Sequence, residues 1–334
     1  MEICGAGKFI YADLSSFVSA VVVENLVKRY GEVEALRGIS FEVARGEVFG
    51  LLGPNGAGKT TTIKILTGLT KPTSGRALVA GFDVVEEPME VKKRIGWIAS
   101  EVIVDDELTG WENLEIQARL AGVKNWRERA AELLKYFGLS EAANRPVGKY
   151  STGMRKRLEV AMALLHAPEI LFMDEPTVGL DVGARVGLWE VVRQINKDFG
   201  VTVLLTTHYM EEAEQLCNRI AIINKGVLVA TGTPDELKAK YGVDVIELEV
   251  DRPVDAARLA AFGEVTTSDG KVFIKTKNAE EKVAEVVKAV NGVRSVRVKK
   301  ASLDTVFLNL TGATFEGEQA DIKRLYMKVR MARR

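Results

Sequence analysis

The 334-residue sequence predicts an α/β fold around a parallel sheet, with an antiparallel β edge, a helical insertion and a small α+β domain toward its C-terminal end. Three observations carry that reading. The apolar runs EILFMD, VTVLLTT and RIAIINKG alternate with helical stretches near 183–198 and 210–217, the pattern of strands covered on both faces. Between residues 110 and 165 the helical patterns GWENLEIQARLAG, NWRERAAELLKYFGL and TGMRKRLEVAMALLHA follow one another. Past Tyr241 the texture changes to short strands and helices.

Residues 1–17 read as an N-terminal extension. Lys8 and the apolar run behind it have a signal-like flavour, but Glu2, Asp13, Ser15, Ser16 and Ser19 break it up. Residues 18–24 and 39–43 read as strands of the antiparallel edge, punctuated by Gly31 and Gly46. A buried strand is expected over 47–52, with a Gly-rich loop leading to a helix over 58–69. After Tyr241, VIELEV, DAARLAAF, EVTT, KVFIKT, AEEKVAEVVKAV and RSVRVKK take the order of a split βαβ, or ferredoxin-like, unit, and SLDTVFLNL adds a helix. The tail carries Lys323, Arg324, Lys328, Arg330, Arg333 and Arg334, and its helical spacing of Ile322, Leu325, Tyr326 and Val329 reads first as a solvated helix packed on its own domain, with docking on a partner or on anionic lipid as the alternatives. The expected organisation is an extension over 1–17, a main domain over 18–240 with a helical part near 101–165, an accessory domain over 241–312, and a basic tail over 313–334.

Lys plus Arg and Asp plus Glu number 46 each and the pI is 6.8, so no net basic field points to nucleic acid, and none is expected as a partner. Cys4 and Cys217 can build neither a disulfide framework nor a Cys-rich zinc site, which suits a reducing cytosol. No run approaches the roughly 20 apolar residues needed to span a bilayer, so the chain is not expected to cross one.

GPNGAGKT at 53–60 matches G-x-x-x-x-G-K-[ST] in full and lies between an apolar strand and a helix. Gly53, Gly56 and Gly58 let backbone N–H groups converge on phosphate, with Asn55 in the same loop and the positive helix end behind it. Lys59 should reach the β and γ phosphates of ATP, Thr60 should place its hydroxyl on Mg²⁺, and Thr61 should contact phosphate. A second GAGK at 5–8 has no preceding strand, no leading Gly and no following Ser or Thr, and reads as coincidence. In ILFMDEP, at 170–176, the carboxylates emerge where open α/β sheets bind ligands. Asp174 would hold Mg²⁺ and Glu175 would act as general base on the attacking water. His208 ends VTVLLTTH at the same edge and would orient that water. KYSTGMRKRL, at 149–158, has no base or metal ligand nearby. It offers only small residues and a helix start, which suffice to hold an anion.

With these segments and the Gly179-Leu180-Asp181 turn in this order, residues 18–240 resemble the ATP-binding subunit of an ABC transporter. The resemblance implies a P-loop NTPase cassette that hydrolyses ATP to ADP and phosphate. It implies a second ATP-binding subunit, identical or different, and a separate integral membrane permease that holds the chain at the cytoplasmic face of the membrane. It places Ser151 and Gly153 of one subunit on the γ phosphate held by Lys59 of the other, Tyr30 on the adenine ring, and Asp181 across the dimer interface. Thr152 stands where the family signature has a second Gly, and Met154 where it has Gln. The Gln that normally touches Mg²⁺ or the water falls on Ser100, whose shorter hydroxyl would act through a bridging water. TGMRKRLEVAMALLHAPEILFMDEP and SLDTVFLNLTG resemble the branch of daunorubicin-resistance-like drug and lipid exporters, which implies export. Two other readings stand beside this one. The first is a soluble ABC-type ATPase acting on ribosomes or nucleic acid, although the chain has no second cassette, long coiled coil or Cys-rich metal site. The second is a regulatory ATP-binding module, resting on Ser100.

Overall fold

The computed structural model describes residues 19–311 apart from Val102, Pro253 and Asp269. The extension over 1–17 with its GAGK, and the basic tail, lie outside the described residues. The chain forms two compact units. One is built from the described residues up to Leu51, Gly56–Thr206 and Lys225–Val227. The other is built from Leu52–Asn55, Thr207–Asn224 and the described residues from Leu228 onward.

In the first unit β1 (Ser19–Tyr30) and β2 (Val33–Ala44) form an antiparallel hairpin that turns at Gly31. Both run well past the expected strands, because a bulge between Val23 and Leu26, with Asn25 at φ 46, lets pairing resume at Leu26 opposite Ile39. β3 (Val48–Leu52) is buried throughout, and α1 (Lys59–Leu66) follows the Gly-rich loop. This helix stops short of residue 69 because Gly68 takes φ 69 just beyond the C-cap Thr67. Next come β4 (Ser74–Val79), β5 (Phe82–Asp83), α2 (Pro88–Arg94) and β6 (Ile95–Ile98). β4 joins a four-stranded sheet of order β2-β1-β4-β5. Its Gly75 is required by close approach, since a Cβ there would stand 2.2 Å from the Asn25 carbonyl oxygen.

The helical insertion contains α3 (Gly110–Ala121), α4 (Trp126–Tyr136) and α5 (Thr152–Leu164). Thr109 and Glu112 cap α3 reciprocally and Gly122 closes it in the left-handed region. β7 (Ile170–Asp174), α6 (Val182–Phe199) and β8 (Thr202–Thr207) follow. β3, β8, β7 and β6 lie side by side in that order, and β8–β7 and β7–β6 pair in parallel. Every residue of β7 and β8 is buried, which explains why these strands read as unbroken apolar runs. Tyr136 at the end of α4 donates its hydroxyl to Asp198 on α6 at 2.7 Å, and its ring lies 5.1 Å from that of Phe199.

The second unit holds α7 (Met210–Leu216), β9 (Arg219–Asn224), β10 (Val227–Gly232) and α8 (Pro234–Tyr241). It continues with β11 (Asp244–Val250), α9 (Ala256–Leu259), β12 (Glu264–Ser268), β13 (Lys271–Thr276), α10 (Ala279–Ala289), β14 (Val293–Lys299) and α11 (Leu303–Thr311). The sheet order β12-β13-β11-β14, antiparallel throughout, is the ferredoxin-like arrangement expected. Ile246, Leu248, Val272, Ile274 and Val286 form its core. The Asp244 carboxylate accepts the amides of Ala279 at 2.9 Å and Ala301 at 2.8 Å, tying the start of α10 and the exit from β14 to β11. Burial raises the pKa of Glu247, but Lys271 and Lys299 outweigh it and hold the carboxyl below its ordinary range. Among the described residues no helix is long and apolar enough to cross a membrane.

Burial and the Asp198 carboxylate push the Tyr136 phenol up to about 12. The folded state therefore favours the neutral phenol. The stability this contributes is complete below the ordinary phenol value of 10 and is lost as pH rises through about 12. Tyr136→Phe should remove one late-titrating tyrosine from an ultraviolet pH titration and flatten the loss of stability over that window.

Candidate active site

Three short elements converge on the chemistry. The buried strand β3 delivers the chain to GPNGAGKT, where Gly56 and Gly58 take φ 76 and φ 112, a region that other residues enter only with strain. The Gly53 amide donates to Thr207 O at 3.2 Å. Gly58 caps α1 with no side-chain cap hydrogen bond, and the start of a helix is where backbone amides bind anions. Asn55 and Thr60 are exposed beside that cradle and Thr61 is half-buried.

Lys59 is the first residue of α1, and its ammonium lies 2.9 Å from a Glu175 carboxylate oxygen, the side chains being 3% and 17% exposed. Asp174, 4% exposed at the end of β7, accepts the hydroxyls of Thr206 at 2.6 Å and Thr60 at 3.2 Å on one oxygen. The chain then turns sharply. Glu175 takes φ 48, rare for such a residue, and its amide donates to Thr206 O at 3.1 Å and Thr206 Oγ1 at 3.0 Å. Lys59, Thr60, Asp174 and Glu175 are thus brought together. Thr206, which fastens both carboxylate residues, was missed by the sequence reading. Its only signal was the threonine pair closing VTVLLTT.

The donor set fits ATP with Mg²⁺. Among the described residues no three His, Cys, Asp or Glu side chains cluster as a metal site. One carboxylate beside one hydroxyl is what Mg²⁺ needs when substrate phosphates and water supply its other ligands.

The other expected residues stand on separate elements. Ser151 is the N-cap of α5, its hydroxyl accepting the Met154 amide at 3.3 Å, and the first intrahelical bond runs from Arg155 N–H to Ser151 O. The Thr152 and Gly153 amides therefore precede the helical ladder, where anions bind. Tyr150, just upstream, donates to Ala142 O at 2.7 Å, and burial raises the pKa of its phenol against the opposing effect of Arg145. Asp181 caps α6 through the Ala184 amide at 2.9 Å. Tyr30 is 47% exposed, with the Lys28 ammonium 4.8 Å from its ring centroid. Ser100 sits in an exposed bend after β6. His208 follows β8, with its ring 4.1 Å from that of Tyr209.

The basic triplet behind the signature was expected only as part of a helical run, and each member fastens a different segment. Arg155 pairs with Asp106 at 3.2 Å and donates to Gly148 O at 3.1 Å. Arg157 donates to Phe137 O at 3.1 Å. Lys156 is buried against Glu159 at 2.7 Å. Burial raises the Glu159 pKa more than Lys156 and the Ile103 amide lower it.

Residues 36–178 match the family model described as ABC transporter, and residues 232–311 match that of the ATP-binding protein DrrA1-3-like, C-terminal domain. The chain is 44% identical over 315 residues to the daunorubicin resistance ATP-binding protein DrrA2 of Streptomyces coeruleorubidus, covering 90% of this chain and 98% of that one. It is 42% identical over 310 residues to the doxorubicin resistance ATP-binding protein DrrA of Mycobacterium tuberculosis strain CDC 1551, with 87% and 93% covered. A solved dimeric, post-hydrolysis ATP-binding cassette bound to ADP and phosphate aligns at 27% identity with a TM-score of 0.57, over 64% of this chain and 98% of that one.

A Cβ on Gly153 would meet only Ala184 Cβ, at an ordinary 3.8 Å. Gly153→Ala should therefore leave the melting temperature unchanged or raise it by a few degrees, as the helix preference for Ala over Gly of about 1 kcal/mol predicts. Thermal unfolding followed by circular dichroism checks this, and a clear loss of stability would show crowding at the helix start.

Proposed function

The chain belongs to the ABC transporter family of ATP-binding ATPases, and we propose that it is the energising subunit of an exporter, closing as a dimer on two ATP molecules. The observation that carries this reading is the meeting of Lys59, Thr60, Asp174 and Glu175 at the end of a buried parallel strand. Lys59 binds the β and γ phosphates. Thr60 and Asp174 would hold Mg²⁺, which when bound offsets the negative charge on those phosphates. Glu175 takes the proton of the attacking water, and a phosphate that accepts Lys59 releases the carboxylate for that task. Thr206 keeps Asp174 and the Glu175 backbone in place while charge shifts. Tyr30 stacks on adenine, Asn55 and Thr61 add contacts to the phosphates, His208 orients the water, and Ser100 reaches the metal or the water through a bridging water.

Ser151 and Gly153 complete the site of the other subunit, and Asp181 contacts it across the interface. Anion-binding amides at a helix start that has no phosphate loop of its own support this shared site. The dimeric cassette among similar structures supports it too. Residues 18–240 act as the cassette and 241–312 as an accessory domain. An integral membrane permease holds the pair at the cytoplasmic face of the membrane, and the direction is outward, as the drug-resistance relatives suggest.

Lys59→Ala should lose nucleotide binding, whereas Glu175→Gln should bind ATP normally and accumulate a closed dimer with hydrolysis reduced at least about 100-fold. Turnover assays and size-exclusion chromatography with ATP measure this, and undiminished hydrolysis by Glu175→Gln removes the proposed base. In a mixture of Ser151→Arg and Lys59→Ala subunits, one site of the mixed dimer lacks both elements and the other is intact. ATP-dependent dimerisation that neither variant shows alone should reappear in the mixture. No gain on mixing would argue against a shared site.

A further inference from the structure

On that reading of a shared site, we propose that Lys156 and Glu159 are positioning residues that lock the Ser100 segment to the signature helix, so that one ATP site senses the state of the other. Both side chains are 2% exposed and lie three residues apart on α5. Their outward bonds go to Ala99 and Ile103, which precede and follow Ser100 in the chain. Lys156 Nζ donates to Ala99 O at 3.1 Å, and the Ile103 amide donates to a Glu159 carboxylate oxygen at 3.4 Å. Burying two charges is costly, and well-packed apolar side chains hold two segments together as well or better. What the charged pair adds is direction: a donor aimed at the Ala99 carbonyl and an acceptor aimed at the Ile103 amide.

Ser100 serves the nucleotide on its own subunit, whereas Ser151, five residues or about 7.5 Å of helix before Lys156, serves the nucleotide on the other. The neighbouring bonds of Arg155 and Arg157 go to Asp106, Gly148, Phe137 and Gly153, and leave Ala99 and Ile103 to Lys156 and Glu159. A shift of the bend is thereby passed to the helix start. Severing the pair should leave ATP binding by the isolated subunit intact while the two sites stop communicating.

The test is the Lys156→Met/Glu159→Leu double variant, which fills the same space without the polar bonds. Its ATP affinity as a monomer and its KM should stay within about twofold of wild type, while kcat falls about tenfold and the Hill coefficient for ATP drops toward 1. Hydrogen exchange should rise at the Ile103 amide. Lys156→Arg should restore cooperativity in part, an outcome that general destabilisation of the fold would not produce. If the double variant is poorly folded, Glu159→Leu, which removes the acceptor for Ile103 and keeps the Lys156 bond to Ala99, provides the same readouts. Wild-type kcat and cooperativity in a variant whose Ile103 amide exchanges faster would overturn the proposal. A wild-type protein that hydrolyses ATP non-cooperatively as a monomer would overturn the shared-site reading, and the proposal with it, without any variant-specific loss.

Discussion

A carboxylate at the end of a strand buried on both faces needs hydrogen-bond donors, because an unpaired charge there would be expelled toward water or protonated. Asp174 meets that need by sharing one oxygen between Thr206 on the neighbouring strand and Thr60 on α1. Those two bonds tie β7, β8 and α1 together at one point. The same threonine receives the Glu175 amide, so the strained turn that aims the second carboxylate is fastened to the first. The apolar strands set where the site lies, and this small polar knot sets how its charges face one another.

Lys59 and Glu175 then sit in contact inside a low-dielectric environment, where their attraction is strong and the loss of either partner is costly. Such a pair holds each charge ready without committing it. A triphosphate offers the lysine a denser negative partner, and exchange of partners changes what the glutamate can do. On the roles proposed for these two residues, this ion pair couples the chemistry to substrate arrival.

The phosphate loop and the strand-borne carboxylates were legible in the sequence because residue type and spacing there are dictated by chemistry. The helical insertion and the split βαβ order were legible because burial imposes periodicity. The hairpin was cut short in the reading because the Asn25 bulge interrupts its alternation, a break that only pairing with β2 repairs. β4 and β6 escaped notice for other reasons: β4 opens on exposed Ser-Gly-Arg, and β6 has only four residues. The basic triplet was opaque because its outward partners, Asp106 and the carbonyls of Ala99, Phe137 and Gly148, lie outside the helix, and nothing in R-K-R distinguishes solvated charges from buried fasteners.

In the C-terminal sheet, β14 occupies one edge and turns Arg294, Ser295, Val296, Arg297 and Lys299 outward. An edge strand offers unpaired backbone groups to any passing strand, including those of a neighbouring copy. Charged side chains along it, Arg297 beside the ion-paired Arg294 and Lys299, hold water and disfavour that approach, and Ser295 and Val296 alone give it little to grip. The ferredoxin-like unit can therefore expose this border in a crowded compartment without seeding β-sheet aggregation.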